Sequence, residues 1–225
     1  MQLKKTISVA ALLIFGLILV ADGQKVTHYN LVELFQKNML DTASNHRQTK
    51  VLENSRYPAV SSRGIAWLKG VNFKEGAIDI DLRGKNVFLK SFLGIAFHAK
   101  DTIEYDAVYF CPFRFHDTSE ETRKYAVKYV SLPGHDFDVL RRQYPGVYEN
   151  EAKPAPKAED WFHATIVIKG DWITVYVNHS TTPSLKVKKL NNLTGGMIGL
   201  WGNASVSLPS LGGDFANLTI TDFPN

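Results

Sequence analysis

Two apolar runs in the middle of the chain restrict its fold more than any other feature. Phe92–His98 reads Phe-Leu-Gly-Ile-Ala-Phe-His, and Ala107–Phe115 reads Ala-Val-Tyr-Phe-Cys-Pro-Phe-Arg-Phe. A short polar connection with Lys100, Asp101 and Thr102 joins them. Each run has the length of a strand, and apolar residues occupy both parities. Both faces of the pair are therefore expected to be covered. Such a pair belongs at the centre of a packed sheet system. The polar residues set into it, His98, Tyr109, Arg114 and His116, become candidates for function.

Other segments supply the layers around this pair. Ala77–Leu82 alternates strictly, with Ile78, Ile80 and Leu82 on one face and Asp79 and Asp81 on the other. Trp161–Lys169 and Trp172–Asn178 read as a hairpin about Gly170-Asp171. Further strands are expected at Arg63–Leu68, Tyr125–Ser131, Leu185–Leu190, Met197–Trp201 and Phe215–Thr221. Asp136 can cap a short helix from Phe137 to Tyr144, stopped by Pro145-Gly146. Asn30 with Glu33 forms a capping-box pattern, which opens either a helix from Leu31 to about Met39 or an irregular strand. Asn150–Asp160, with Pro154 and Pro156, reads as an extended linker inside the domain. The count comes to about ten to twelve strands with no βαβ alternation and no fixed repeat. That pattern specifies an all-β fold of two antiparallel sheets packed face to face, with one or two short helices.

The N-terminus stands apart. Lys4 and Lys5 precede an apolar run, Ile7–Val20, and then Ala21-Asp22-Gly23. This is the layout of a signal peptide cut before Gln24. The run is short of the ~20 residues a membrane span needs, so no stable membrane anchor is expected. Residues 24–225 then form one exported domain, periplasmic or secreted, of bacterial type. Cys111 is the only cysteine, which excludes an intrachain disulfide. A domain of this size has core enough to do without one. The formal net charge is +4. Its one cationic run, Lys186-Val187-Lys188-Lys189, reads as a solvated strand face, and no nucleic-acid partner is expected. Four Asn-x-Ser/Thr sites, at Asn178, Asn192, Asn203 and Asn217, read as chance or turn chemistry.

Several motifs together carry a resemblance. They are Phe73-Lys74-Glu75-Gly76, Ser91–His98, Val108–Phe115, Leu140–Glu149, Trp161-Phe162-His163-Ala164 and Val175-Tyr176-Val177-Asn178, with Gly199-Leu200-Trp201-Gly202 and Gly213–Leu218 closing the chain. Over about residues 60–221 the sequence resembles exported bacterial concanavalin A-like lectin/glucanase domains, laminin-G-like jelly rolls. It is similar to candidate glycosyl hydrolases of the 3-keto-disaccharide type. The resemblance implies a jelly-roll sandwich whose concave sheet faces carbohydrate. The chain departs from the group's usual pattern at Cys111 (Arg), at Lys128 (Gln) and near Phe137 (Trp).

The chemistry-bearing residues narrow this reading. A retaining β-glucanase on this fold carries Glu-x-Asp-x-x-Glu, which sets two carboxylates about 5 Å apart. Here the local match is Asp79-Ile80-Asp81-Leu82-Arg83-Gly84, without the third acid. Asp79 and Asp81 are therefore read first as solvating an outer strand face. His98, His116, Asp117, His135, Asp136 and His163 show no compact ligand spacing, so neither metal nor cofactor is expected. Cys111, followed by Pro112, is expected to be buried as a small hydrophobe. Sugar binding needs aromatic faces and fixed polar groups. The residues expected to supply them are Tyr109, Arg114, Lys128, Arg141, Tyr148, Glu149, Asn178 and Trp201. His98 and His163 are the expected acid/base pair if hydrolysis occurs. Trp67, Phe97, Phe113, Trp172 and Phe215 are assigned to the core. The leading expectation is a carbohydrate ligand, with hydrolysis left open. The alternative is a non-catalytic interaction module for a protein or cell-surface polymer.

Overall fold

A computed structural model describes residues 23–41, 49–202 and 211–224. All of the expected signal peptide except Gly23 lies outside this range. Fifteen strands are formed among the described residues. In chain order they begin with β1 (Lys25–Tyr29), β2 (Leu40–Asp41), β3 (Lys50–Val51), β4 (Ala59–Ser62) and β5 (Gly64–Phe73). The middle of the chain gives β6 (Gly76–Arg83), β7 (Leu93–Ala99), β8 (Tyr105–Phe110), β9 (Val127–Leu132) and β10 (Glu149–Asn150). The last five are β11 (Phe162–Lys169), β12 (Trp172–Val177), β13 (Leu185–Lys188), β14 (Gly196–Gly202) and β15 (Gly213–Asp222). Three short helices accompany them: α1 (Leu31–Gln36), α2 (Glu120–Arg123) and α3 (Phe137–Gln143).

The strands form two antiparallel sheets. One has the order β13-β12-β11-β6-β15-β4-β3, with β1 also paired to β15. The other has the order β10-β9-β8-β7-β14-β5-β2. They pack face to face as a concanavalin A-like jelly-roll sandwich. Ile78, Ile80 and Leu82 of β6 and Phe162, Ala164 and Ile166 of β11 point inward and are fully or nearly fully buried. Phe110 of β8 meets Phe162 edge-on at 5.1 Å, which fixes the inner face of the second sheet. Leu93, Ile95 and Phe97 pair in register with Phe110, Val108 and Asp106, and so share that inner face. Burying each large aliphatic side chain contributes about 1.5–3 kcal/mol.

The two central runs behave as their composition requires. Every residue of β7 and β8 is buried. The second run ends at Phe110 instead of continuing to Phe115, because Pro112 cannot donate to the ladder. The chain turns there into a 3-10 turn, Pro112–Arg114. The open choice after Asn30 resolves as helix: Asn30 Oδ1 accepts the Glu33 N–H, and α1 stops at Gln36. Trp172 departs from its core assignment. It stands outward on β12 at 43% exposure, because Ile173 and Val175 take the inner parity. Phe113 is only half-buried.

Gly94 occupies a tight position on β7. A Cβ there would lie 2.0 Å from the Val108 carbonyl oxygen and 2.9 Å from the Tyr109 Cβ. Gly94→Ala is expected to cost about 1–3 kcal/mol through overpacking. Chemical denaturation of the variant measures this, and an unchanged midpoint would contradict the packing described.

Candidate functional site

The outer face of the seven-stranded sheet gathers the residues of most interest into one row. Its register runs Glu149↔Lys128 between β10 and β9, Lys128↔Tyr109 to β8, Tyr109↔Gly94 to β7 and Gly94↔Trp201 to β14. Residues directly opposite in antiparallel strands share a face. Glu149, Lys128, Tyr109 and Trp201 are therefore neighbours, although 92 positions separate the first and last in sequence order (201 minus 109). Gly94 has no side chain, so Tyr109 and Trp201 stack across β7 with centroids 4.6 Å apart. Trp67 and Tyr105 continue the row, in edge contact at 5.7 Å, and like Tyr109 and Trp201 both rings are buried. The buried indole N–H groups of Trp67 and Trp201 make no well-aligned hydrogen bond.

Helix α3 covers the other end of the row. Asp136 caps it, accepting the Phe137 N–H at 2.6 Å, and Asp138 and the Arg141–Arg142 pair complement its dipole. Phe137, Leu140, Arg141 and Tyr144 follow one stripe of the helix at i, i+3, i+4 and i+7. Leu140 is buried and seats the helix, while Phe137 and Tyr144 are each 43% exposed at the rim. Arg141 grips Glu149 with both arms: Nε donates to Oε1 at 2.8 Å and Nη2 to Oε2 at 2.7 Å. Lys128 Nζ lies 3.3 Å from Oε2 of the same carboxylate. The Arg141 guanidinium also lies 3.8 Å over the Tyr125 ring, and Lys128 Nζ is 5.2 Å from the Phe137 centroid. Tyr148 packs against Tyr129 and Tyr144 at the base. These side chains frame a small hollow.

Burial pushes the Tyr109 hydroxyl well above its usual range. Burial likewise raises the Cys111 thiol to about 11, outweighing the nearby Lys128 and Arg114. Cys111 is thus a buried neutral thiol, as its setting before Pro112 implied.

The remaining expected residues lie elsewhere. Arg114 sits on the 3-10 turn, paired with Asp117 and stacked over Phe88 at 4.8 Å. His98 is inside the core at 1% exposure. The cause is a bulge: Phe97 and His98 of β7 together oppose Ile198 of β14, and His98 takes a φ of 52°. Its ring stacks on Phe73 and donates from Nε2 to the Lys74 carbonyl at 2.6 Å. Nδ1 faces Asp106 Oδ2 at 3.7 Å, and Asp106 Oδ1 accepts from Tyr129 and Asn191. His98 therefore belongs to a buried network between the sheets. The expectation of it as an acid/base is corrected by this placement.

His163 and Asn178 stand on the outer face of the other sheet. His163 Nδ1 donates to Asp81 at 2.9 Å and Nε2 to Asp79 at 3.2 Å, while its ring stacks on His179 at 4.1 Å. Thr165 donates to Asp79, and Asn217, at a bulge with a φ of 52°, donates to Asp81. Asn178 Oδ1 accepts the His163 backbone N–H. Partial burial works against the charged forms of all three groups, but mutual hydrogen bonding outweighs it. The result raises His163 to about 9 and lowers both aspartates. Asp79 and Asp81 thus do line an outer strand face, in an imidazolium–carboxylate cluster that alternation alone did not reveal. No group of three or more His, Cys, Asp or Glu side chains suited to a metal ion occurs among the described residues. No described helix is long and apolar enough to cross a membrane.

No family model matches the chain, and no curated protein matches it. Solved structures do. The exoplasmic/lumenal domain of VIP36, in a form bound to Ca²⁺ and Man3GlcNAc, is similar with a TM-score of 0.52 at 10% identity, covering 85% of this chain and 86% of that one. A candidate glycosyl hydrolase from Parabacteroides distasonis ATCC 8503 is similar with a TM-score of 0.50 at 15% identity, covering 78% and 90%. At these identities the likeness establishes the concanavalin A-like fold.

The His163 cluster makes a pH prediction. Its folded pKa lies above the ordinary value of 6.5, so its stabilisation is complete below pH 6.5 and is lost as pH rises through about 9. Melting temperature should fall between pH 6.5 and 10 in the wild type and fall less in His163→Gln. Parallel curves for the two proteins would show that the imidazolium contributes nothing.

Proposed function

We propose that this protein is an exported glycan-binding domain whose ligand lies against the rim of α3, which the Glu149–Lys128–Tyr109–Trp201 row supports. The carrying observation is the rim of α3: exposed Phe137 and Tyr144 stand beside a bidentate Arg–carboxylate pair, on a row that continues into the buried Tyr109–Trp201 stack. Aromatic faces cover the C–H surface of a sugar, and fixed donors read its hydroxyls. Arg141 Nη1 remains for a ligand after Nε and Nη2 bind Glu149. The extracytoplasmic location rests on the charged, apolar and small-residue segments of residues 1–23.

Binding without turnover is the reading this geometry supports. Glu149, the carboxylate in the row, has both oxygens engaged by cations. Asp136, at the head of α3, is used as a helix cap. Neither is arranged as an acid/base pair flanking a scissile bond.

Titration calorimetry against a panel of neutral oligosaccharides tests the proposal. Arg141→Ala and Trp201→Ala should each weaken binding at least tenfold, about 1.4 kcal/mol. Turnover of chromogenic glycosides should stay at background. Unchanged affinity in both folded variants would remove the row from function, and turnover abolished by Glu149→Gln would make the domain an enzyme.

A further inference from the structure

We propose a second ligand site, for an acidic polysaccharide, on the opposite sheet around Trp172. It starts from the misplaced tryptophan. Trp172 opens β12 on the outward parity, and 43% of it is exposed. In register it pairs with Lys188 of β13 on one side and Lys169 of β11 on the other. Lys186 lies two residues along β13 on the same face, opposite Thr174. The Lys186 and Lys188 ammonium groups sit 5.2 and 5.4 Å from the Trp172 ring centroid. All three lysines are exposed, and none forms an ion pair among the described residues.

Asp171 of the β11–β12 turn is the adjacent carboxylate, while a second carboxylate and a further cation nearby have other duties. Glu75, at the far side of Lys169, accepts the Gly170 N–H of the β11–β12 turn. Lys189 donates to the Leu193 carbonyl. What remains is an exposed aromatic ring between ammonium groups. Strands about 4.8 Å apart place Lys188, Trp172 and Lys169 across about 10 Å, with Lys186 about 7 Å along the strand from Lys188.

This arrangement suits a polymer of acidic sugars. The tryptophan offers a face for the C–H surface of one ring, and the lysines offer counter-charges to carboxylate or sulfate groups on it and its neighbours. The lysines' present contact with the ring is an exposed and therefore weak cation–π interaction. An incoming anion can therefore draw the ammonium groups aside at small cost and free the ring. A neutral sugar offers no such exchange. Nucleic acid is the less suited polyanion, since single strands are held by successive stacking rings in a charged groove. Here a single exposed tryptophan stands on an open sheet face.

The site is independent of the α3 row, and the test keeps the two apart. Full-length protein is titrated with polygalacturonate, with its methyl-esterified form and with heparin. Binding to at least one of the two polyanions is expected, weakening as salt is raised and at least tenfold weaker for the methyl ester than for polygalacturonate when the latter binds. Trp172→Ala and the double variant Lys186→Gln/Lys188→Gln should each lower affinity at least tenfold, while Arg141→Ala leaves it unchanged. Because all three positions are exposed, the variants should melt with the wild type. Absence of binding to both polyanions, equal binding of the esterified polymer, or affinity untouched by these substitutions overturns the proposal. Oligo-dT binding tighter than either polysaccharide, lost in the same variants, overturns it in favour of nucleic acid.

Discussion

Gly94 stands between Tyr109 and Trp201 on the central strand of the seven-stranded sheet, and the contact between those two rings exists because nothing projects from it. A side chain at that point would meet the Val108 carbonyl and the Tyr109 Cβ before it met solvent. The aromatic half of the outer face therefore depends on one missing methyl group. The register that puts Gly94 there is set from the other side of the strand. Leu93, Ile95 and Phe97 have to face Phe162 and the interior, so Gly94 and Ala96 face outward. A slip by one residue would exchange the two sets, at the cost of three buried apolar side chains.

Bulges then decide which polar groups escape that alternation. Without the extra residue in β7, His98 would follow Gly94 and Ala96 outward. The bulge opposite Ile198 turns it inward onto Phe73 and Asp106. On β15 the reverse service is done by Asn217, whose left-handed backbone at a bulge carries its amide to Asp81. Two histidines that look equivalent in sequence thus have opposite fates. His98 is locked between the sheets, and His163 is held as an imidazolium between two carboxylates on an open face.

The sandwich itself was legible because its signal is local. Apolar runs of both parities, strict alternation in Ala77–Leu82 and the Gly170-Asp171 turn all became the elements they implied. The Phe137–Arg141–Tyr144 stripe was also readable from helical spacing, and Asp136 as its cap, although the two rings were not singled out. Cross-strand partners were not readable. Nothing near Asp79 in sequence indicates that β11 will deliver His163 beside it. Trp172 was assigned inward on hydrophobicity alone. The parity of Ile173 and Val175 was the stronger signal, since both must be inside when the strand is paired on an outer-facing sheet.

Cover is what separates the two sheet faces physically. Helix α3 shields Glu149 and Lys128, so their charges interact at low local dielectric, and the Arg141 fork fixes one geometry. Under the proposed function, a ligand at this end of the row would meet a preformed pattern of donors, which favours discrimination between similar sugars. No described helix lies over the Trp172 end of the opposite sheet. Its lysines are fully hydrated, free to change rotamer and screened within about 8–10 Å at moderate ionic strength. Under the proposed second site, such a surface would read charge density and not stereochemistry. One strand arrangement can thus present a selective face and a permissive one, the difference arising from a seven-residue helix seated by Leu140.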